Sequence, residues 1–251
     1  MERIDVTLPG TDIVEAFFLP EKCHPQDRKV VGWVIESDEY KLLQLYRSGF
    51  MPKVIVDCGA HYGSFGFLAS RIWPEASIYA FEPNWASFSV LDKNCPGNVL
   101  NSCSFLTEVV SEGRWETLVG VDEEGFPASS VYGKSVDTRD TKPKTRAVAR
   151  QQKLSYFLKE SDIKCVDLLK IDTEGSEVPI LSDLNNTKWL GRIRYIRGEW
   201  HGLRAVGEVY NLLRATHSVF IHNDPEQING SFFACHRFLG VDAFEQIRSY
   251  W

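Results

Sequence analysis

The sequence predicts an α/β protein built on a mostly parallel sheet. Short apolar runs such as Val54-Ile55-Val56 and Ile78-Tyr79-Ala80-Phe81 alternate with helical stretches, the pattern of strands joined by crossover helices. The runs are apolar throughout rather than at every second residue, which suits strands covered on both faces. Near the end, Val219-Phe220-Ile221 and Phe232-Phe233-Ala234 flank the polar turn Asn223 to Gly230. They read as an antiparallel pair that closes the sheet.

Residues 1–50 mix short apolar pieces with turns. Ser37-Asp38 is a cap for a helix through Tyr40 to Tyr46, with Gly49 as its stop. This stretch is expected to be an extension packed on a main domain of residues 51–251. The first strand starts at Val54. A glycine-rich turn follows, then a helix from Ser64 to Trp73 that Pro74 ends. A strand at Ile78–Phe81 leads to a helix from about Trp85 to Asn94. Phe105-Leu106 and Val109-Val110 suggest a third strand region. Glu112 to Thr145 is polar and rich in turn residues, and reads as hairpins or a mobile loop. Leu154 to Leu158 has helical spacing, Val166–Ile171 and Ile193–Ile196 read as buried strands, and Ala205–Ala215 as a helix.

Composition sets the outer bounds. The chain has 251 residues, of which 43% are hydrophobic and 25% charged, so it is not a disordered or collagen-like chain. Its length suits one large domain or one domain with an appendage. The 28 basic and 34 acidic residues leave a net charge of −6. That disfavours general nucleic-acid binding, which rests on neutralising phosphates. No run approaches the roughly 20 apolar residues that cross a bilayer, and no basic leader precedes an apolar stretch. Six scattered cysteines without a C-x-x-C pair read as reduced thiols. The expectation is a cytoplasmic protein without a membrane partner.

The strand ends carry the chemistry. The first ends in Asp57, the second in Glu82, and later ones in Asp172 and Glu199. In an open α/β sheet, ligands sit beyond the carboxyl ends of the strands, near the point where strand order reverses. Any one such acid can simply cap the next helix. Four on one edge repel one another unless a cation, a metal ion or ribose hydroxyls compensate. The turn Asp57-Cys58-Gly59-Ala60-His61-Tyr62-Gly63 has glycines at G-x-x-x-G, not G-x-G-x-x-G. An acid just before it suits a pyrophosphate poorly, so a nicotinamide dehydrogenase is disfavoured. Glu82 lies about 20 residues beyond, where an acid commonly binds ribose. Together these features point to S-adenosylmethionine.

Three segments carry a family resemblance: Val56 to Gly63, Phe81-Glu82-Pro83-Asn84, and Asp167 to Glu177 with its Leu-Lys-Ile-Asp-x-Glu-Gly core. They resemble the FkbM methyltransferases, over about Val54 to Arg237. The resemblance implies a Rossmann-like class I methyltransferase fold, a mostly parallel seven-stranded sheet with a reversed last strand. It also implies O-methylation of a sugar, glycan or natural-product hydroxyl. By the same resemblance Asp57, Gly59, Ala60, His61 and Gly63 hold the methionine end of the cofactor. Glu82 holds its ribose, Pro83 and Asn84 belong to the cofactor site beside it, Glu108 and Val109 border the adenine, and Asp172 lies near the methyl group.

A hydroxyl acceptor must lose a proton. His201 is the leading general base, because an ordinary imidazole titrates near neutrality. Asp172 is the other candidate, with Glu174 beside it. Alternatively Asp172, Glu199 and His201 present ligands to Mg²⁺ or Mn²⁺. Lys170 reads as structural, and Trp200 as either a sugar platform or a core residue. Residues 134–153 hold seven Lys and Arg against two Asp. They form either a solvated loop or a lid for an anionic acceptor. Two further readings stay open: a nucleic-acid methyltransferase using that segment, and a non-catalytic binding module of the same fold.

Overall fold

The computed structural model describes residues 1–23, 25–102, 104–106, 116–121, 145–223 and 229–240. It opens with an antiparallel pair, β1 (Glu2–Thr7) and β2 (Val14–Leu19), followed by α1 (Pro25–Ile35) and α2 (Leu42–Arg47). The first half of the main sheet comes from β3 (Val54–Cys58), β4 (Ser77–Phe81) and β5 (Val99–Ser102), joined by α3 (Ser64–Ile72) and α4 (Trp85–Asn94). A small side sheet contains β6 (Ser104–Leu106), β7 (Glu116–Val121) and β8 (Thr145–Gln152). Then come α5 (Leu154–Glu160), β9 (Val166–Ile171), α6 (Glu177–Asn186), β10 (Ile193–His201), α7 (Leu203–Leu213), β11 (His217–Asn223) and β12 (Asn229–His236).

The main sheet has seven strands in the order β11-β12-β10-β9-β3-β4-β5. Neighbours from β10 to β5 are parallel, and β12 runs antiparallel to both β10 and β11. This is the Rossmann-like topology with an antiparallel C-terminal hairpin. Strand order reverses between β3 and β9, so the crevice a ligand uses lies above those two strands.

Alternation along the strands sorts side chains into two cores. Ile55, Ile78, Leu168, Tyr195 and Phe233 face one side, where they join Phe17, Leu19, Val31, Ile35, Leu42 and Leu45 from the first 50 residues. Val56, Leu169, Ile196 and Phe232 face the other, against Leu158, Leu181, Val209 and Leu213 of α5, α6 and α7. The N-terminal elements are therefore one covering layer of the sheet. Each fully buried side chain of this kind contributes about 1.5–3 kcal/mol.

The third strand of the main sheet is Val99–Ser102, not Phe105-Leu106, which belongs to the side sheet. Val99–Ser102 is an edge strand whose Leu100 is exposed, so it lacks the apolar run that marks a buried strand. Residues 109 and 110 lie outside the described residues. The helix expected from Tyr40 begins at Leu42. Asp38 accepts from the amides of Leu42 at 2.7 Å and Leu43 at 2.9 Å, which satisfies two of its free N-terminal donors.

Candidate active site at the carboxyl edge of the sheet

The glycine turn is fixed by its own hydrogen bonds. The amides of Gly59 and Ala60 both donate to the Phe81 carbonyl at 3.0 Å, and that of Gly63 to the Ala60 carbonyl at 2.8 Å. The His61 amide donates to Glu82 at 2.8 Å. Gly59 has φ +82°, and a Cβ there would fall 1.7 Å from the Asp172 carbonyl oxygen. Only glycine allows the turn to pass so close to the end of β9.

Beneath this turn lies a buried charge network. Asp57, at the end of β3, is fully buried, and Lys170 of β9 lies beside it in register. Lys170 Nζ is 3.2 Å from Asp57 Oδ1 and 3.8 Å from Asp172 Oδ2, and it donates to the Gly59 carbonyl at 2.6 Å. Burial opposes the charge on Lys170, but Asp57 and Asp172 outweigh it and hold the ammonium protonated. Burial pushes the Asp57 carboxyl up, and Lys170 pulls it back.

Asp172 projects from the end of β9 and is half-buried. Its Oδ2 accepts from the Tyr40 hydroxyl at 2.9 Å. Burial alone would raise its carboxyl; Lys170, His201 and Tyr40 together hold it below the usual range. Glu82 is buried and accepts from the amides of His61 and Asn84, each at 2.8 Å. Burial pushes its carboxyl up to about 7 against those two bonds. Asn84 caps α4 by accepting from Ala86 and Ser87. Burial lowers the His61 imidazole to about 4.

At the end of β10, His201 is buried among carboxylates. Its Nδ1 lies 3.0 Å from Glu177 Oε1, and its Nε2 lies 3.5 Å from Glu174 and 3.7 Å from Glu199. Glu177 also accepts from Thr173 N, Thr173 Oγ1 and Gly175 N, so one carboxylate ties His201 to the turn after β9. Burial would lower the imidazole, but the Glu177 hydrogen bond and the charges of Glu174, Glu177 and Asp172 raise it to about 10. In this arrangement His201 is an imidazolium at neutral pH. The near-neutral titration expected from its sequence gives way, so it can accept a proton only after losing the one it holds. Glu199 is pushed well up by burial and by Asp172.

The structure brings Asp172, Glu174, Glu199 and His201 together. One ligand atom from each of Asp172, Glu199 and His201 lies within 4.8 Å of the others. Asp57 and Glu82 sit on the same edge, but their carboxylates are engaged by Lys170 and by backbone amides. Glu108, Val109 and residues 134–144 lie outside the described residues. Trp200 is 2% exposed and packs under Gly230 in the core. Sequence reasoning gave no site role to Tyr40 or Glu177. The only signal for Glu177 is an acid in the first turn of a helix that follows Glu174-Gly175. Tyr40 carries none, because its partner lies 132 residues away.

A family model described as the methyltransferase FkbM domain matches residues 57–222. The chain is 30% identical over 150 residues to Methyltransferase 1 of Beauveria bassiana, a match covering 54% of this chain and 59% of that protein. It is also 30% identical over 189 residues to 31-O-demethyl-FK506 methyltransferase FkbM of Streptomyces tacrolimicus, covering 64% of this chain and 70% of that protein. Among solved structures, the N-terminal domain of human METTL16 in complex with SAH superposes with a TM-score of 0.48 at 11% identity, over 87% of this chain and 75% of that one. A precorrin-6y C5,15-methyltransferase from Geobacter metallireducens gives 0.44 at 14% identity, over 79% and 87%.

Proposed function

The chain belongs to the methyltransferase FkbM family, and from that premise we propose that it moves a methyl group from S-adenosylmethionine to a hydroxyl oxygen of a small-molecule or glycan acceptor. The observation that carries this reading is how the glycine turn spends its amides. Those of Gly59, Ala60, His61 and Gly63 are bonded inside the protein. A pyrophosphate needs free amides at such a turn. A sulfonium ligand with a protonated amine needs acceptors instead, and the edge offers Asp172, Glu174 and Glu199. The donor set therefore fits S-adenosylmethionine and not a dinucleotide.

Glu82 would hold the ribose, since each of its oxygens keeps a lone pair beyond the one its amide donor uses. Asp57 supports the turn through Lys170, and Asp172 presents a half-buried carboxylate at the end of β9, beside the switch point. The cofactor supplies a methyl group already activated by positive sulfur. The protein's work is to align the acceptor and receive its proton. Asp172, held ionised by Lys170 and Tyr40, is placed to accept the acceptor hydroxyl's hydrogen. His201, held positive by Glu177 and Glu174, balances the surrounding acids.

A second reading rests on the mutual approach of Asp172, Glu199 and His201. A divalent Mg²⁺ or Mn²⁺ would find oxygen and nitrogen ligands there, with His201 neutral and its Nδ1–H given to Glu177. Such an ion would lower the hydroxyl pKa. Activity that survives thorough chelation removes this reading. The nucleic-acid alternative is not favoured by the family match. No described helix is long and apolar enough to cross a membrane.

The test of the main reading is incubation with isotopically labelled S-adenosylmethionine and a library of hydroxyl compounds. Label in an ether product is expected. Label found only on nitrogen or carbon products overturns the assignment to oxygen.

A further inference from the structure

A cavity of about 630 Å³ opens beside Glu199, within the ~300–1,000 Å³ typical of small-molecule sites. One wall comes from the N-terminal layer, through Trp33, Glu39, Tyr40 and Lys41. The sheet contributes Glu199 and His222, near the carboxyl ends of β10 and β11. Tyr40 joins this cavity to the reaction edge, because its hydroxyl donates to Asp172 at 2.9 Å.

The lining has a definite chemical character. Glu39 and Glu199 face it with Lys41 as the one ammonium among its described lining residues, and Asp172 stands just behind Tyr40. Lys170 lies close by but sits against Asp57. A protonated amine entering here finds carboxyl oxygens to accept its hydrogens, from Glu39 of the N-terminal layer and Glu199 of the sheet. Trp33 is 47% exposed and lines the same space, and an indole face attracts a cation. Carboxylates that accept hydrogen bonds, beside an open indole, favour a ligand that donates hydrogens and carries positive charge.

We propose that this cavity is the acceptor pocket, and that it selects an acceptor carrying an ammonium group beside the hydroxyl to be methylated. This deepens the methyltransferase reading and rests on it. The hydroxyl lies toward Asp172 and Glu199, and the ammonium toward Trp33 and Glu39. The N-terminal layer thereby sets specificity while the segment from Asp57 to His222 provides the reaction edge.

The experiment uses the full chain saturated with S-adenosylhomocysteine and a panel of ring alcohols matched in size. One set bears an amine, one is neutral, and one bears a phosphate or carboxylate. Binding is read by NMR on the indole N–H signals. The amine set is expected to bind most tightly and to shift the Trp33 signal. Affinity, measured in the variants by isothermal titration, should fall about tenfold in Glu39→Gln and in Trp33→Phe, as expected for a lost carboxylate or a weaker ring partner, with S-adenosylhomocysteine affinity unchanged in both. Equal or tighter binding by the neutral or anionic set, amine binding that leaves Trp33 unmoved, or no binding from any set overturns the proposal. A wild-type chain that does not bind S-adenosylhomocysteine overturns the methyltransferase reading itself, so the two failures are told apart.

Discussion

Lys170 Nζ lies 3.2 Å from Asp57 Oδ1 with both side chains buried, and the same ammonium donates to the Gly59 carbonyl at 2.6 Å. One cation thus neutralises the first strand-end acid and clamps the glycine turn. Removing one partner of a buried pair strands the other charge. Lys170→Met is expected to cost about 3–5 kcal/mol. Lys170→Met combined with Asp57→Asn should recover a large part of that loss. Urea denaturation midpoints measure both; a double variant no more stable than the single one would contradict the pairing.

Gly59→Ala meets a harder limit. Its Cβ would sit 1.7 Å from the Asp172 carbonyl oxygen, at φ +82°. The turn must shift, taking Asp172 with it. Thermal unfolding should show a clear loss of stability, and cofactor binding should fall below detection. Gly207 of α7, where a Cβ meets nothing within 4 Å, is the control position and should tolerate alanine.

Two groups, His201 and Glu82, each contribute stability that falls as pH rises. His201 is raised from 6.5 to about 10. Its contribution is complete below pH 6.5 and is lost as pH climbs through about 10. Glu82 is raised from 4.5 to about 7. Its buried carboxyl favours the folded state when protonated, so stability declines between about 4.5 and 7. Glu82→Gln should flatten the lower window and His201→Gln the upper one, in denaturation curves taken across pH. Unchanged pH profiles would refute the assigned environments.

The opposite sign applies to His217. It is fully buried, bonded to Thr216 and to the Ile193 carbonyl, and burial lowers it to about 4. It stabilises the fold above pH 6.5, and that contribution is lost as pH falls through about 4. His217→Gln should therefore shrink the acid-side loss seen in circular dichroism between those values.

Tyr40→Phe removes the one hydroxyl that bonds Asp172 from the N-terminal layer. The Asp172 carboxyl should then titrate at higher pH. The acid limb of cofactor binding should move upward with it, while binding at pH 8 changes little. An unmoved limb would separate Asp172 from the cofactor.

Much of this arrangement was legible in the residues. The strands at Val54, Ile78 and Val166 are apolar on both faces, and the acids that end them stand out against those runs. Asp172, Glu199 and His201 could be placed on one edge because each directly follows or ends such a strand. Other features depend on tertiary contacts that leave no local trace. Val99–Ser102 is an edge strand with too little apolar surface to announce itself. Among the described residues, β1 and β2 pair only with each other, and they pack on α1 and α4. The charge on His201 depends on Glu174 and Glu177, whose positions follow from the turn after β9. The engagement of Asp57 by Lys170 could not be read either, because it depends on the register of β3 against β9.

The account stands on the claim that this edge binds an adenosyl sulfonium. Isothermal titration of the purified chain with S-adenosylmethionine, S-adenosylhomocysteine and NAD measures it directly. The account predicts saturable one-to-one binding of the first two and none of the third. Binding of NAD, or silence toward both adenosyl ligands at millimolar concentration, would contradict it.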